Sequence, residues 1–275
     1  MSIDEPLRAR IEALLRATSV RKKKAAARLE EEIRRREELL RQTFRRYVSP
    51  RVADKILEDT QLRDTLLSPE GPRADSRAHA VVLFADLRGF TSIAEQLDPQ
   101  RVVPLLNEFF SLLTAITFKH DGTVFHMAGD CLMLGFGVPL EQPDSARRAV
   151  SAAREMLASF AELSRSWRER YQVEAGLGIG INEGDVVAGN VGSSSYMNYT
   201  IIGDTVNIAA RLCQRARSGE MLFSSTLKRS LDAHGFDVGA TPLPPLQLRG
   251  RSHPIDIFCV PLATRLQLAA GPAGG

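Results

Sequence analysis

Residues 81–85 read Val-Val-Leu-Phe-Ala, and this short unbroken apolar run is what most constrains the fold. A strand with one buried face alternates apolar and polar residues. A strand apolar on both faces must be covered on both, so the chain needs a sheet with packed layers. The run ends on Asp86, a carboxylate at the edge of a buried segment. "LRGFTS" follows, with a glycine and then Thr91 and Ser92, residue types that cap helices. The expectation is a strand, a turn and a helix near 91–97, with Asp86 at the junction.

The rest of residues 78–261 fits that demand, because strand and helix patterns alternate. A longer helix is expected around 99–119. "GTVFHMAGDCLMLGF" (122–136) reads as two strands joined by a tight turn at Ala128-Gly129-Asp130. Residues 143–170 form an amphipathic helix. "VEAGLGIGINEGDVVAGNVG" (173–192) reads as two strands, with Asp185 as hairpin chemistry. "YTIIGDTVNIAARLCQRA" (199–216) runs from strand or turn into helix, with Asp204 closing a turn. "EMLFS" is a strand, "TLKRSL" a short helix, and "LQLRGRSHPIDIFCV" a closing hairpin. The fold class is α/β, an α/β sandwich in which helices pack on a sheet.

Residues 1–48 differ. They lack glycine, have proline only at Pro6, and place Leu29, Ile33, Leu40, Phe44 and Tyr47 at helical spacing, with Arg36 interrupting the seam. Glu30–Arg34 and Glu31–Arg35 are i,i+4 pairs in the favourable direction. This reads as a long N-terminal helix that pairs with its copy as a coiled coil, or that couples to an upstream regulatory partner. The basic cluster at 21–24 suits a solvated helix face more than nucleic acid or lipid. Ser49 and Pro50 start a second helix, and residues 49–77 join it to the main domain through the polar linker 68–77. The tail 262–275 is expected to be flexible.

Charged residues make up 25% of the 275 and the formal net charge is +3, which gives no ground to expect nucleic acid. Cys131, Cys213 and Cys259 are odd in number and widely spaced, so neither a disulfide framework nor a zinc site is expected. No apolar run approaches the roughly 18 residues of a transmembrane segment, and no signal peptide is apparent. The expected location is cytoplasmic.

Asp86 ends one strand and Asp130 sits in the turn between two others. If those strands are neighbours, the carboxylates converge beside the amides of a helix N-terminus, which suits divalent cations and a phosphate. A single aspartate at a strand end is more often a turn former than a ligand.

"FADLRGFTSIAE", "GDCLMLGFG", "GINEGDVVAGNVGS" and "YTIIGDTVNIAARL" together resemble the class III nucleotidyl cyclase catalytic domain, over about residues 78–261. Residues 40–60 also look like the segment that precedes such domains in bacteria. The resemblance implies a central, mostly antiparallel sheet with flanking helices, the ferredoxin-like cyclase fold. It implies conversion of a nucleoside triphosphate to a 3′,5′-cyclic monophosphate and pyrophosphate by head-to-tail homodimers. Asp86 and Asp130 match the ligands of two divalent cations, Mg²⁺ or Mn²⁺, and the Leu87 carbonyl adds a third ligand. The amides of Gly89, Phe90 and Thr91, with Arg249, match phosphate-binding positions. Asn207 matches the ribose-orienting residue and Arg211 the group that stabilises charge on the α-phosphate. Taken singly, Asn207 reads as a cap or turn residue and Arg211 as a surface charge.

In this family two side chains read the base. A lysine usually stands four residues before the second aspartate, where this chain has His126. The other position is aspartate in adenylyl cyclases or threonine in a bacterial and soluble subgroup, and here it is Thr200. Guanylyl cyclases usually carry glutamate and cysteine. Thr200 points to ATP, and His126 departs from the pattern. Three readings compete: an adenylyl cyclase, a cyclase of different or relaxed base specificity using GTP or a pyrimidine nucleotide, and a non-enzymatic nucleotide-binding signalling dimer.

Overall fold

The computed structural model describes residues 22–24, 26–35, 38–39, 42, 48–59, 77–193, 196–248 and 253–261. The chain divides into two compact units, Met1–Arg46 and Tyr47–Gly275. In the first, residues 26–35 are helical, and Leu29 and Ile33 are exposed. Leu40, Phe44 and Tyr47 of the expected seam, linker residues 68–76 and the tail lie outside the described residues, and Arg77 opens the first strand of the domain.

In the second unit, α1 (Pro50–Glu58) begins as its sequence dictates. Ser49 Oγ accepts the Val52 amide at 3.2 Å and Pro50 occupies the first turn, where no amide is needed. Val52, Ala53 and Ile56 face inward. Ser49 Oγ also donates to Asp121 Oδ1 at 3.2 Å, and Arg51 and Arg148 pair with Oδ2 of the same carboxylate. Asp121 therefore ties α1 to the body of the domain.

The strands are β1 (Arg77–Arg88), β2 (Thr123–Ala128), β3 (Cys131–Phe136), β4 (Gly176–Ser193), β5 (Tyr196–Ile202), β6 (Glu220–Ser224), β7 (Thr241–Leu246) and β8 (Ile255–Pro261). They form one sheet in the order β2-β3-β1-β4-β6-β8-β7, with β5 paired to β4. β4–β6 is parallel and the other pairings are antiparallel. The intervening helices are α2 (Phe90–Gln96), α3 (Pro99–Lys119), α4 (Ser145–Tyr171), α5 (Asp204–Arg215) and α6 (Ser225–Ala233).

β1 pairs with β4 along its whole length and with β3 over Val81–Asp86, and both faces of its apolar run are covered. Val81, Leu83 and Ala85 join Leu105 and Phe109 of α3 and Met156, Phe160 and Trp167 of α4 in the main core. Ala80 and Val82 pack with Val186, Ile201 and Ala209 on the opposite face. Two-sided coverage is what an unbroken apolar strand requires. Trp167 Nε1 donates to Glu108 Oε2 at 2.8 Å, and Arg170 grips the same carboxylate, which fixes α3 against α4. α3 is long and apolar enough, by length and composition, to cross a membrane. It nevertheless carries Arg101, Glu108 and Lys119, and it buries Leu105, Phe109, Leu113 and Ile116 in this core.

The structure departs from the sequence expectations in three places. Gly89, not Thr91 or Ser92, is the N-cap of α2, and both hydroxyl residues lie inside the helix. Residues 176–193 form one continuous strand instead of two, because β4 exchanges partners along its length. It pairs with β1 as far as Val187 and with β5 from Val187 onward, so the Gly184-Asp185 step interrupts the pattern without ending the strand. β7 begins earlier than the expected hairpin. Its Pro242, Pro244 and Pro245 can be accommodated because, among the described residues, it is an edge strand paired with β8 alone.

Candidate active site

The C-terminal end of β1 brings the two aspartates together. Asp86 sits opposite Cys131 in the β1–β3 register, and the β2–β3 hairpin turns through Gly129 and Asp130. Gly129 adopts φ +59°, a left-handed conformation that glycine enters without a Cβ penalty. The Leu87 amide donates to the Asp130 carbonyl at 3.1 Å, which stitches the hairpin tip to the strand end. Burial pushes the Asp86 carboxyl up, and the Asp130 charge adds to this while the Arg88 guanidinium opposes it. A half-buried carboxylate beside a second carboxylate favours a cation.

The turn after β1 presents backbone amides. Gly89 has φ +86°, a left-handed conformation that favours glycine, and a Cβ there would crowd the Glu174 carbonyl oxygen at 3.2 Å. The first helical hydrogen bond of α2 runs from Ile93 N to Gly89 O. The amides of Phe90, Thr91 and Ser92 precede it and are the donors a helix N-terminus leaves without intrahelical acceptors.

α5 carries the second set of residues. Ile208, Ala209, Leu212 and Cys213 face the sheet, while Asn207, Arg211 and Gln214 form an exposed stripe. Arg211 Nη1 donates to Gln214 Oε1 at 2.8 Å on that stripe. Within one chain Asn207 and Arg211 thus point away from the sheet that carries Asp86 and Asp130. Asn207 is helical and is not a cap. Asp204 is the first residue of α5, an acidic group where the helix dipole favours one.

His126 is exposed and follows a bulge in β2, where pairing shifts between Val124 and His126. Bulges re-aim side chains. Thr200 is half-buried on β5 opposite Gly189. Phe125 and Tyr199 bring their rings to 5.9 Å, so the strands that carry His126 and Thr200 meet. Arg249 lies outside the described residues.

Sequence reasoning missed the residues that seat α5. Gly176, Gly178 and Gly180 alternate along β4 and so share one face. A Cβ on Gly180 would come within 2.0 Å of the Cys213 amide nitrogen, so the helix backbone rests directly on the strand. A Cβ on Gly178 would come within 2.5 Å of the Arg88 guanidinium. Arg88 spans the gap between the two elements. Its Nη1 donates to Asp86 Oδ1, its Nε to the Ala216 carbonyl at 2.9 Å, and its Nη2 to the Cys213 carbonyl. The alternation "GLGIG" was the available signal for close packing. Nothing local marked Arg88.

Cys131, Cys213 and Cys259 are free thiols, and burial pushes Cys213 up to about 12 and Cys259 up to about 11. Among the described residues, no group of three or more His, Cys, Asp or Glu side chains could hold a metal ion. The donors at the end of β1 are instead two carboxylates and nearby main-chain oxygen. That set suits a hard cation such as Mg²⁺ or Mn²⁺, which keeps water or substrate oxygens in its remaining positions. The residues therefore fit such an ion.

A mostly antiparallel sheet with flanking helices is the fold that the resemblance to the nucleotidyl cyclases implied. Residues 73–260 match the family model "Adenylate and Guanylate cyclase catalytic domain", and the chain belongs to that family. The structure resembles the adenylyl cyclase CyaB from P. aeruginosa, at 32% identity and a TM-score of 0.64, over 67% of this chain and 94% of that one. It resembles the guanylyl cyclase Cya2 to a similar degree, at 33% identity and a TM-score of 0.62, over 69% and 93%. Adenylate cyclase 1 of Rhizobium meliloti (strain 1021) is 30% identical over 225 residues, which are 78% of this chain and 31% of that protein. An uncharacterized protein of Mycobacterium tuberculosis is 39% identical over 142 residues, 51% of this chain and 25% of that protein. The chain thus spans about a quarter to a third of these curated relatives.

Proposed function

We propose that this domain converts ATP to 3′,5′-cyclic AMP and pyrophosphate at sites shared by two copies of the chain. The observation that carries this reading is the separation of the two sets of site residues. Asp86 and Asp130 converge at the end of β1, while Asn207 and Arg211 stand together on an outward face of α5. A second copy packed head-to-tail would bring the stripe of one chain to the carboxylates of the other.

Asp86 and Asp130, with the Leu87 carbonyl, would hold two divalent cations, Mg²⁺ or Mn²⁺. When bound, these lower the pKa of the ribose 3′-hydroxyl and neutralise phosphate charge. The amides of Gly89, Phe90 and Thr91 would cradle the β- and γ-phosphates, helped by Arg249. Asn207 would orient the ribose by hydrogen bonding. Arg211 would face the α-phosphate, where a permanent planar cation stabilises the charge that grows as the 3′-oxygen attacks and pyrophosphate leaves. That all four of Asp86, Asp130, Asn207 and Arg211 are present favours an enzyme over a non-catalytic nucleotide binder.

Thr200 supports adenine, as does the relative named as an adenylate cyclase. His126 favours a second reading, a cyclase of relaxed or different base preference. Imidazole is shorter than lysine, and at neutral charge it both donates and accepts a hydrogen bond. Incubation with ATP, GTP, CTP and UTP in turn, with Mn²⁺, followed by mass spectrometry, decides between these readings. Cyclic AMP as the main product supports the first, a different cyclic nucleotide the second, and no cyclic product from any nucleotide would refute both.

His126→Lys should raise ATP turnover relative to the other nucleotides by roughly three- to tenfold, the worth of one well-made hydrogen bond. Identical nucleotide ratios in the two proteins would show that His126 does not read the base.

A further inference from the structure

We propose that Arg88 is a placeholder cation for the metal pocket. It holds Asp86 until a divalent cation takes that carboxylate, and it then serves wholly to seat the C-terminal end of α5. This rests on the reading of Asp86 as a metal ligand. The geometry that carries it is a single guanidinium with two kinds of partner. Nη1 is on Asp86, two residues back on the same strand. Nε and Nη2 are on the Ala216 and Cys213 carbonyls, 128 and 125 residues away in sequence. Those carbonyls end α5, where the helix dipole is negative and a cation is favoured. Arg88 is largely buried, its side chain 24% exposed, and it lies over Gly178, where any side chain would intrude on it.

The guanidinium fork can satisfy a carboxylate and two carbonyls at once because its five N–H groups lie in one plane. When a divalent cation takes Asp86, Arg88 loses its anionic partner and meets a like charge. The α5 carbonyls remain available to it. Cation loading and the seating of α5, the helix of Asn207 and Arg211, are therefore linked through one side chain. Arg88 acts as a positioning residue and does not touch substrate.

The test compares the full chain with Arg88→Met, Arg88→Lys and Asp86→Ala. Mn²⁺ affinity is read from the free-Mn²⁺ electron paramagnetic resonance signal without nucleotide, and turnover is measured separately at saturating Mn²⁺. Arg88→Met removes the competitor and should bind Mn²⁺ about fivefold more tightly while turning over more slowly. Arg88→Lys keeps the charge but lacks the fork. It should hold Mn²⁺ within about twofold of wild type and lose turnover. A merely structural role would lower thermal stability and turnover without tightening Mn²⁺. Unchanged or weaker Mn²⁺ binding in a folded Arg88→Met overturns the inference. If that variant does not fold, wild-type turnover in Arg88→Lys overturns it. Wild-type Mn²⁺ affinity in Asp86→Ala removes the metal-ligand reading and this inference together. Asp86-dependent Mn²⁺ binding that tightens in Arg88→Met, in a protein that makes no cyclic product, supports the inference while the cyclase reading fails.

Discussion

Asp86→Ala and Asp130→Ala should each reduce cyclic-nucleotide formation by about a thousandfold or more, because losing a cation contact would remove several kcal/mol of transition-state stabilisation. The fold should survive both changes. Asp130 lies in a two-residue turn that Gly129 shapes and the Leu87 amide holds through the Asp130 backbone, so its side chain is not needed for the turn. Asp86 is half-buried and paired with Arg88, but the guanidinium is not left without acceptors when the carboxylate goes, because it keeps the Ala216 and Cys213 carbonyls. Removing the Asp86 side chain also relieves the repulsion from Asp130 that helps push its carboxyl up. Circular dichroism and thermal unfolding should therefore remain near wild type while turnover disappears. A folded variant of either aspartate that turns over near the wild-type rate in Mn²⁺ would remove the metal assignment.

The features legible in the sequence were those fixed by local pattern. The apolar run at 81–85 demanded coverage on both faces, and the structure supplies α3 and α4 on one face and α5 on the other. Ser49 and Pro50 announced α1, and residues 99–119 form a helix over the whole expected span. What escaped was set by distant partners. β7 looked unlike a strand because its prolines lack amide donors, and only an edge position makes that harmless. β4 looked like two strands because its change of partner at Val187 is a tertiary event. The β1–α2 junction was legible as a turn, but Gly89 caps the helix through backbone conformation where a hydroxyl was expected. Asp86 and Asp130 stood out because a carboxylate beside an apolar run is anomalous. Arg88 did not, because an arginine just past an apolar run is ordinary and its partners Cys213 and Ala216 lie 125 and 128 residues away in sequence.

The central claim is that one active site is made from two chains, and complementation between inactive variants tests it most directly. Asp86→Ala lacks a carboxylate and keeps α5 intact. Arg211→Ala keeps both carboxylates and loses the cation proposed for the α-phosphate, on an exposed position where truncation should leave the fold undisturbed. Each variant alone should be nearly inactive. After subunit exchange, a mixed dimer has one site with both defects and one with neither, since the intact carboxylates face the intact stripe. With random exchange half of the dimers are mixed, and each has one working site of two, so activity should recover to about a quarter of wild type. Titrating one variant into the other, with mixed dimers confirmed by differential tags, gives the answer. Recovery towards a quarter is the predicted result. No recovery in confirmed mixed dimers would place the whole site within one chain and contradict the account.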